Sequence, residues 1–279
     1  MNARTMTLGG RGKARQAANS SAMDMAARWG FAARGVIYLL IGILALQIAF
    51  GGGGEQADRG GALAEIAKKP LGSVMLWILG IGLVGMALWR LSEALFGAAG
   101  EDGKKATKRL MSAGRFVFYG FVAYSVLAFA VGGKSSGSGS SDQQSQDITA
   151  RAMEWPGGRW IVGIVGVAIA VAGVWIGVRA AMRKFHKRLK LAEMSRKARQ
   201  FVDVTGVGGG LGRGFLFAAI GVFVVQAAVE YKPDKAKGFD DTLRSFTDTP
   251  AGPWLLAVVA VGLVLFGVFS FGMARWRRV

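Results

Sequence analysis

The sequence predicts an all-α, polytopic membrane protein of six transmembrane helices, arranged as three parallel two-helix repeats. Three observations carry that expectation. Of the 279 residues 52% are apolar and 19% charged, with a mean hydropathy of +0.36, and the charges are bunched so that six windows hold almost none. The charge flanking those windows alternates between strongly basic and near neutral. An arginine and a Pro-x-Gly marker recur three times in the same order.

The windows run over residues 35–54, 70–89, 116–133, 160–178, 214–229 and 249–274. About 20 apolar residues suffice to cross the hydrocarbon core as a helix, so each window is read as one crossing. The N-terminal arm, residues 90–115, residues 179–213 and the tail from Arg275 hold 25 Lys and Arg against 6 acids. The three opposite loops hold 10 against 11. By the positive-inside rule the basic side is cytoplasmic, which puts both termini there. Trp29, Trp89, Trp175 and Trp276 near the inner ends, with Trp155, Trp160 and Trp254 near the outer ends, make the expected aromatic belts. A cleaved signal peptide would have to use the first helix itself, which the repeat needs.

Each odd-numbered crossing is followed by a polar outer loop and a marker: Pro70-Leu71-Gly72, Pro156-Gly157-Gly158 or Pro250-Ala251-Gly252. Proline costs little in the first turn of a helix, so each marker is read as a helix start. The spacing from Arg34, Arg115 and Arg213 to these prolines is 36, 41 and 37 residues. Downstream, Gly80, Gly166 and Ala260 align, then Trp89, Trp175 and Phe269. This is an internal repeat, whose copies share one orientation because each holds two crossings. A pseudo-threefold bundle is the first expectation and a row of hairpins the second. The chain divides into a disordered basic arm (1–23), a first repeat (24–100), a second (104–182), a basic amphipathic cytoplasmic linker (183–202), a third repeat (203–275) and a basic tail (276–279).

The stretches "ARWGFAARGVIYLLIGILAL", "GALAEIAKKPLG" and "GIGLVGMALWRLSEALFG" resemble the bacterial membrane-protein family called domain of unknown function 1206. Its three copies together would cover residues 24–275. The first copy matches well and the third fairly well, while the second departs at Phe116. The resemblance implies a six-helix fold in the cell (plasma) membrane of a bacterium and implies no activity.

Each crossing has an arginine at or just beyond its inner end: Arg34, Arg90, Arg115, Arg179, Arg213 and Arg275. One reading is snorkelling, in which the stem lies along the helix and the guanidinium anchors at the headgroups. The other is a cluster that grips an anionic phospholipid headgroup, with Arg90 paired to Glu93 one turn on. Gly35, Gly42, Gly80, Gly82, Gly173, Gly177, Gly214 and Gly221 are candidate helix-packing positions. The run "GVGGGLGRG" at 206–214 meets neither GxGxxG nor Walker lysine spacing, and is read as flexibility where a helix begins. In 179–203, Met182, Phe185, Leu189 and Ala192 fall at helical spacing among lysines and arginines. That predicts an amphipathic helix continuing the fourth crossing and lying on anionic lipid. The outer stretch "GGKSSGSGSSDQQSQD" reads as disordered.

No catalytic residue, cofactor or metal site is expected. Cysteine is absent, the single histidine is His186 among lysines, and no HExxH motif occurs. The six midsections hold no ionisable residue, which argues against an ion or proton relay. Tyr38, Gln47, Tyr119 and Gln226 remain as interhelical bonding or pore residues. The expected function is non-enzymatic, structural or accessory: scaffolding a membrane partner or organising anionic lipid at the cytoplasmic leaflet. The alternative is a small-solute or ion pore along the repeat axis. Partners are the bilayer with its anionic phospholipid and a protein partner or second copy; nucleic acid is not expected, because aromatic residues do not interleave with the basic ones.

Overall fold

The computed structural model describes residues 21–51, 56–97, 105–131, 141–247 and 252–278. Among these the chain is helical, with one isolated bridge between Leu189 and Arg277 and no strand. Six helices are long and apolar enough to cross a membrane: α1 (Ser21–Ala49), α3 (Gly72–Phe96), α4 (Ala106–Ala130), α6 (Gly158–Ala181), α7 (Arg196–Glu230) and α9 (Gly252–Trp276). Three short helices, α2 (Arg59–Ala67), α5 (Ser141–Met153) and α8 (Phe239–Ser245), precede the second crossing of each repeat. The protein is a multi-pass membrane protein. Most of the basic arm, residues 1–20, lies outside the described residues, and Ser21–Met23 already belong to α1.

The Pro-x-Gly marker is a corner rather than a helix start. Pro70 and Pro156 stand two residues before α3 and α6, and the residue between proline and glycine turns left-handed: Leu71 at φ 62° and Gly157 at φ 75°. A Cβ on Gly72, Gly158 or Gly252 would run into a carbonyl six residues back, on Ile66, Ala152 or Phe246. Only glycine lets the surface helix end and the crossing begin this closely. Pro250 and Ala251 lie outside the described residues. Of the stretch read as disordered, 141–147 form the start of α5, and 132–140 lie outside the described residues.

The three most extensive helix pairs each join the second crossing of one repeat to the first of the next: α3 with α4, α6 with α7, and α9 with α1. Two of these seams use equivalent residues. A Cβ on Gly35 would meet the Gly267 carbonyl at 3.0 Å, and one on Gly214 the Gly173 carbonyl at 2.7 Å. Gly42 faces the Ala260 carbonyl and Gly221 the Gly166 carbonyl in the same way. Within repeats, α1 packs on α3 and α7 on α9, but α4 and α6 do not pack comparably. Those two spans are accordingly only 22% and 17% buried, which leaves most of their apolar surface for lipid. Between the helices, Ile37, Ile41 and Leu44 of α1, Val122 and Val126 of α4, Leu216 and Ile220 of α7 and Leu256 and Leu263 of α9 form one apolar cluster.

Two expectations about the basic end are corrected. The linker does not continue α6: that helix stops at Ala181, and Arg183 turns left-handed at φ 50°. Two short 3₁₀ turns (Lys184–Arg188 and Leu191–Glu193) then fold back, so that Phe185 stacks edge-on to Phe269 and Leu189 is buried against the C-terminal tail. Backbone bonds from Lys190 N–H to the Trp276 carbonyl (2.8 Å) and from Arg278 N–H to the Arg188 carbonyl (2.9 Å) hold the fold-back. The periodicity that suggested a lipid-lying helix was therefore that of a cap seated on the bundle. The glycine run lies inside α7, not at its start. A Cβ on Gly212 would approach the Gly262 Cα at 2.7 Å, so these glycines serve close packing of α7 on α9.

Candidate functional site

At the end where α1 begins and α9 stops, guanidinium groups turn inward. Arg90 and Glu93 lie one turn apart on α3, and Arg90 Nη1 donates to Glu93 Oε2 at 2.6 Å with both side chains buried. The same oxygen accepts from Ser112 Oγ of α4 at 3.2 Å. The other carboxylate oxygen faces Arg277 Nη2 at 3.8 Å. Arg277 belongs to the stretch read only as a basic tail (276–279). It is 6% exposed, over the rings of Trp89 (4.6 Å) and Phe31 (4.9 Å). Burial, with Arg90 and Arg188 nearby, pulls its guanidinium well below the usual range. Since arginine stays protonated in proteins, such a site calls for an anion.

A second group adjoins the first. Arg34 of α1 donates from Nε to Ser270 Oγ of α9 at 3.1 Å, engages the Tyr119 hydroxyl of α4 and lies over the rings of Phe31 and Phe266. Arg213 of α7 lies over Phe266 (4.7 Å), Phe217 (5.1 Å) and Tyr38 (5.5 Å). Neither Arg34 nor Arg213 has a carboxylate partner among the described residues. The Nε atoms of Arg90, Arg213 and Arg277 are buried without any hydrogen-bond partner. Arg115 and Arg188 stand at the rim, close enough to Arg90 and Glu93 to feel their charge. Arg90, Arg277, Arg115 and Arg188 thus share Glu93 as their carboxylate, while Arg34 and Arg213 adjoin them with none.

Aromatic faces offset part of this. A cation over a ring contributes about 0.5–1 kcal/mol when exposed and about 2 when desolvated. A ring quadrupole cannot accept the orphaned N–H groups, however, and an unpaired buried donor costs about 1–3 kcal/mol. The pattern suits an oxygen-rich anion, to which arginine presents a planar fork of donors.

The chain belongs to the DUF1206 family. The family model, described as Domain of Unknown Function (DUF1206), matches residues 29–97, 100–183 and 208–277, one stretch for each repeat. The chain is also 30% identical over 248 residues to an uncharacterized protein, YxxB, of Bacillus subtilis (strain 168), with 87% of each chain covered. No solved structure matches it. The three matched stretches contain Arg34 and Arg90, Arg115, and Arg213 and Arg277 in turn, so every repeat of this DUF1206 chain contributes to the cluster.

The other helix-end arginines point elsewhere: Arg179 lies over Trp175, and Arg275 is exposed beside Trp276. Gln47 and Gln226 are exposed on the outside of α1 and α7, and Gln226 donates to Glu230 at 2.8 Å. Tyr38 and Tyr119 face the arginines, with Tyr38 edge-on to Phe266 at 4.7 Å. Gly80 approaches Leu127 of α4, Gly82 approaches Trp29 and Ala33 of α1, and Gly177 sits against Gly214. The sequence reading missed Arg277, Ser112 and Ser270. Ser270 lies on the helix face that also presents Phe266 and Gly267, a spacing that could have marked it.

Proposed function

We propose that this protein is a non-enzymatic accessory protein of the bacterial cell membrane, with both termini cytoplasmic, that holds an anionic phospholipid headgroup in the arginine cluster. The observation that carries the proposal is a charge imbalance: four guanidiniums share Glu93, Arg34 and Arg213 beside them have no carboxylate, and three Nε–H groups are buried and unpartnered. A phosphate diester would supply the missing acceptors, and the lipid-facing spans of α4 and α6 offer its acyl chains an apolar wall. The apolar cluster between the helices, and the outward placement of Gln47 and Gln226, support this reading over a pore along the repeat axis. A pseudo-threefold relation would follow if α4 were to close on α6 as α1 does on α3.

Thermal unfolding of delipidated protein in detergent tests the proposal. Added short-chain phosphatidylglycerol should raise the midpoint saturably and phosphatidylcholine should not. In a folded Arg34→Gln/Arg213→Gln variant the phosphatidylglycerol shift should be largely lost. Equal shifts from both lipids, or an undiminished shift in the variant, would refute a headgroup site.

A further inference from the structure

The opposite end of the molecule, near neutral overall, gathers four aspartates where its surface helices begin. Asp58 caps α2, accepting from Gly61 N–H at 2.9 Å. Asp142 stands in the first turn of α5, and Asp240 and Asp241 in the first turn of α8. The N-termini of the three surface helices, one from each repeat, therefore converge. Carboxylate oxygens of Asp142, Asp240 and Asp241 lie within 4.8 Å of one another.

Part of this is ordinary capping. Asp142 Oδ1 accepts from Asp241 N–H at 3.0 Å, and Asp240 Oδ1 accepts from Ala57 N–H at 2.8 Å, tying the second repeat to the third and the third to the first. Asp240 Oδ2 also accepts from Arg244 Nε at 2.7 Å. Capping leaves one atom unexplained. Asp142 is 5% exposed, and its Oδ2 is buried with no partner. An orphaned carboxylate oxygen beside two more aspartates is costly unless something positive lies among them.

We infer that Asp142, Asp240 and Asp241 form a divalent-cation site that fastens the outer helices of the second and third repeats. The donors are all hard oxygens, which suit calcium, and their spacing of up to 4.8 Å stays under twice the longer calcium–oxygen distance of about 2.6 Å. Each Asp240 oxygen already accepts one hydrogen bond, from Ala57 N–H or Arg244, so the cation would take a remaining Asp240 lone pair with Asp142 Oδ2 and Asp241, and water would complete its shell. The site sits at the end opposite the arginine cluster and is independent of any lipid bound there.

Equilibrium dialysis of detergent-purified, chelator-stripped protein against calcium chloride at neutral pH is the test. The expected result is saturable binding of about one calcium per chain, accompanied by a rise in thermal midpoint. Asp142→Asn and Asp241→Asn should each weaken it roughly tenfold or more, whereas Asp147→Asn, an exposed acid on the same helix, should leave it unchanged. Asp142→Asn keeps the acceptor for Asp241 N–H and loses a crowded charge, so its stability in chelator should match or exceed that of the parent. Absence of saturable binding at millimolar calcium, or binding that survives both variants or falls equally with Asp147→Asn, would overturn the assignment.

Discussion

Replacing Glu93 by Gln removes the carboxylate that four guanidiniums share while nearly preserving its shape. Glu93 Oε2 holds Arg90 at 2.6 Å and Ser112 at 3.2 Å, and Oε1 faces Arg277 at 3.8 Å. Breaking a buried pair by removing one partner typically costs about 3–5 kcal/mol, because the remaining charge is left uncompensated. Glutamine retains one acceptor for Arg90 or Ser112, so the lower end, about 3 kcal/mol, is expected. For a chain of this size each kcal/mol lowers the midpoint by about 2–4 °C, giving a fall of roughly 6–12 °C. The assay is thermal unfolding of delipidated Glu93→Gln protein in mild detergent, followed by titration with phosphatidylglycerol. Having lost its internal anion, the variant should bind the lipid more tightly than the parent and recover much of the lost stability. A change within about 0.5 kcal/mol, the scale of an ordinary surface substitution, would refute the claim that these charges are buried and coupled.

Gly173→Ala should destabilise by about 1–3 kcal/mol, since its Cβ would lie 2.6 Å from the Gly214 carbonyl oxygen; Gly120→Ala, with open space around it, should be neutral or gain up to about 1 kcal/mol from helix propensity. Equal effects in thermal unfolding would contradict the close α6–α7 seam. Burial, with Asp241, Asp240 and Asp58 nearby, pushes the Asp142 carboxyl up to about 6. Its folded value lies above the unfolded one, so the native state binds the extra proton, and in calcium-free buffer stability should decline as pH rises from about 4 through about 6. Asp142→Asn should remove that component; an identical pH profile in parent and variant would contradict it. With no native cysteine to remove, an Asp147→Cys protein in intact cells should react with an impermeant maleimide and a Lys187→Cys protein should not. The reverse would invert the orientation assigned to the basic end.

The crossings and the repeat were legible because hydropathy and the Pro-x-Gly corner are written along the chain. A place at a helix end does not say which face of that helix turns inward, and there the reading ran out. Arg34 and Arg179 both follow the rule of an arginine at a helix end, yet Arg34 faces Ser270 inside and Arg179 lies over Trp175 outside. Leu189 fits a helical period, but the left-handed turn at Arg183 sends it under the C-terminal tail. Arg277 shows the limit most clearly. One residue beyond a helix, in a short basic run, it has every mark of a solvated tail, and only the fold-back of residues 183–194 buries it beside Glu93.

The account rests on the arginine cluster holding an anionic lipid, and native mass spectrometry of protein taken gently from its own membrane addresses that most directly. The parent should retain about one anionic phospholipid per chain, and a folded Arg34→Gln/Arg213→Gln variant should lose it. A parent that carries no preferred lipid, or a variant that carries the same one, would contradict the central claim.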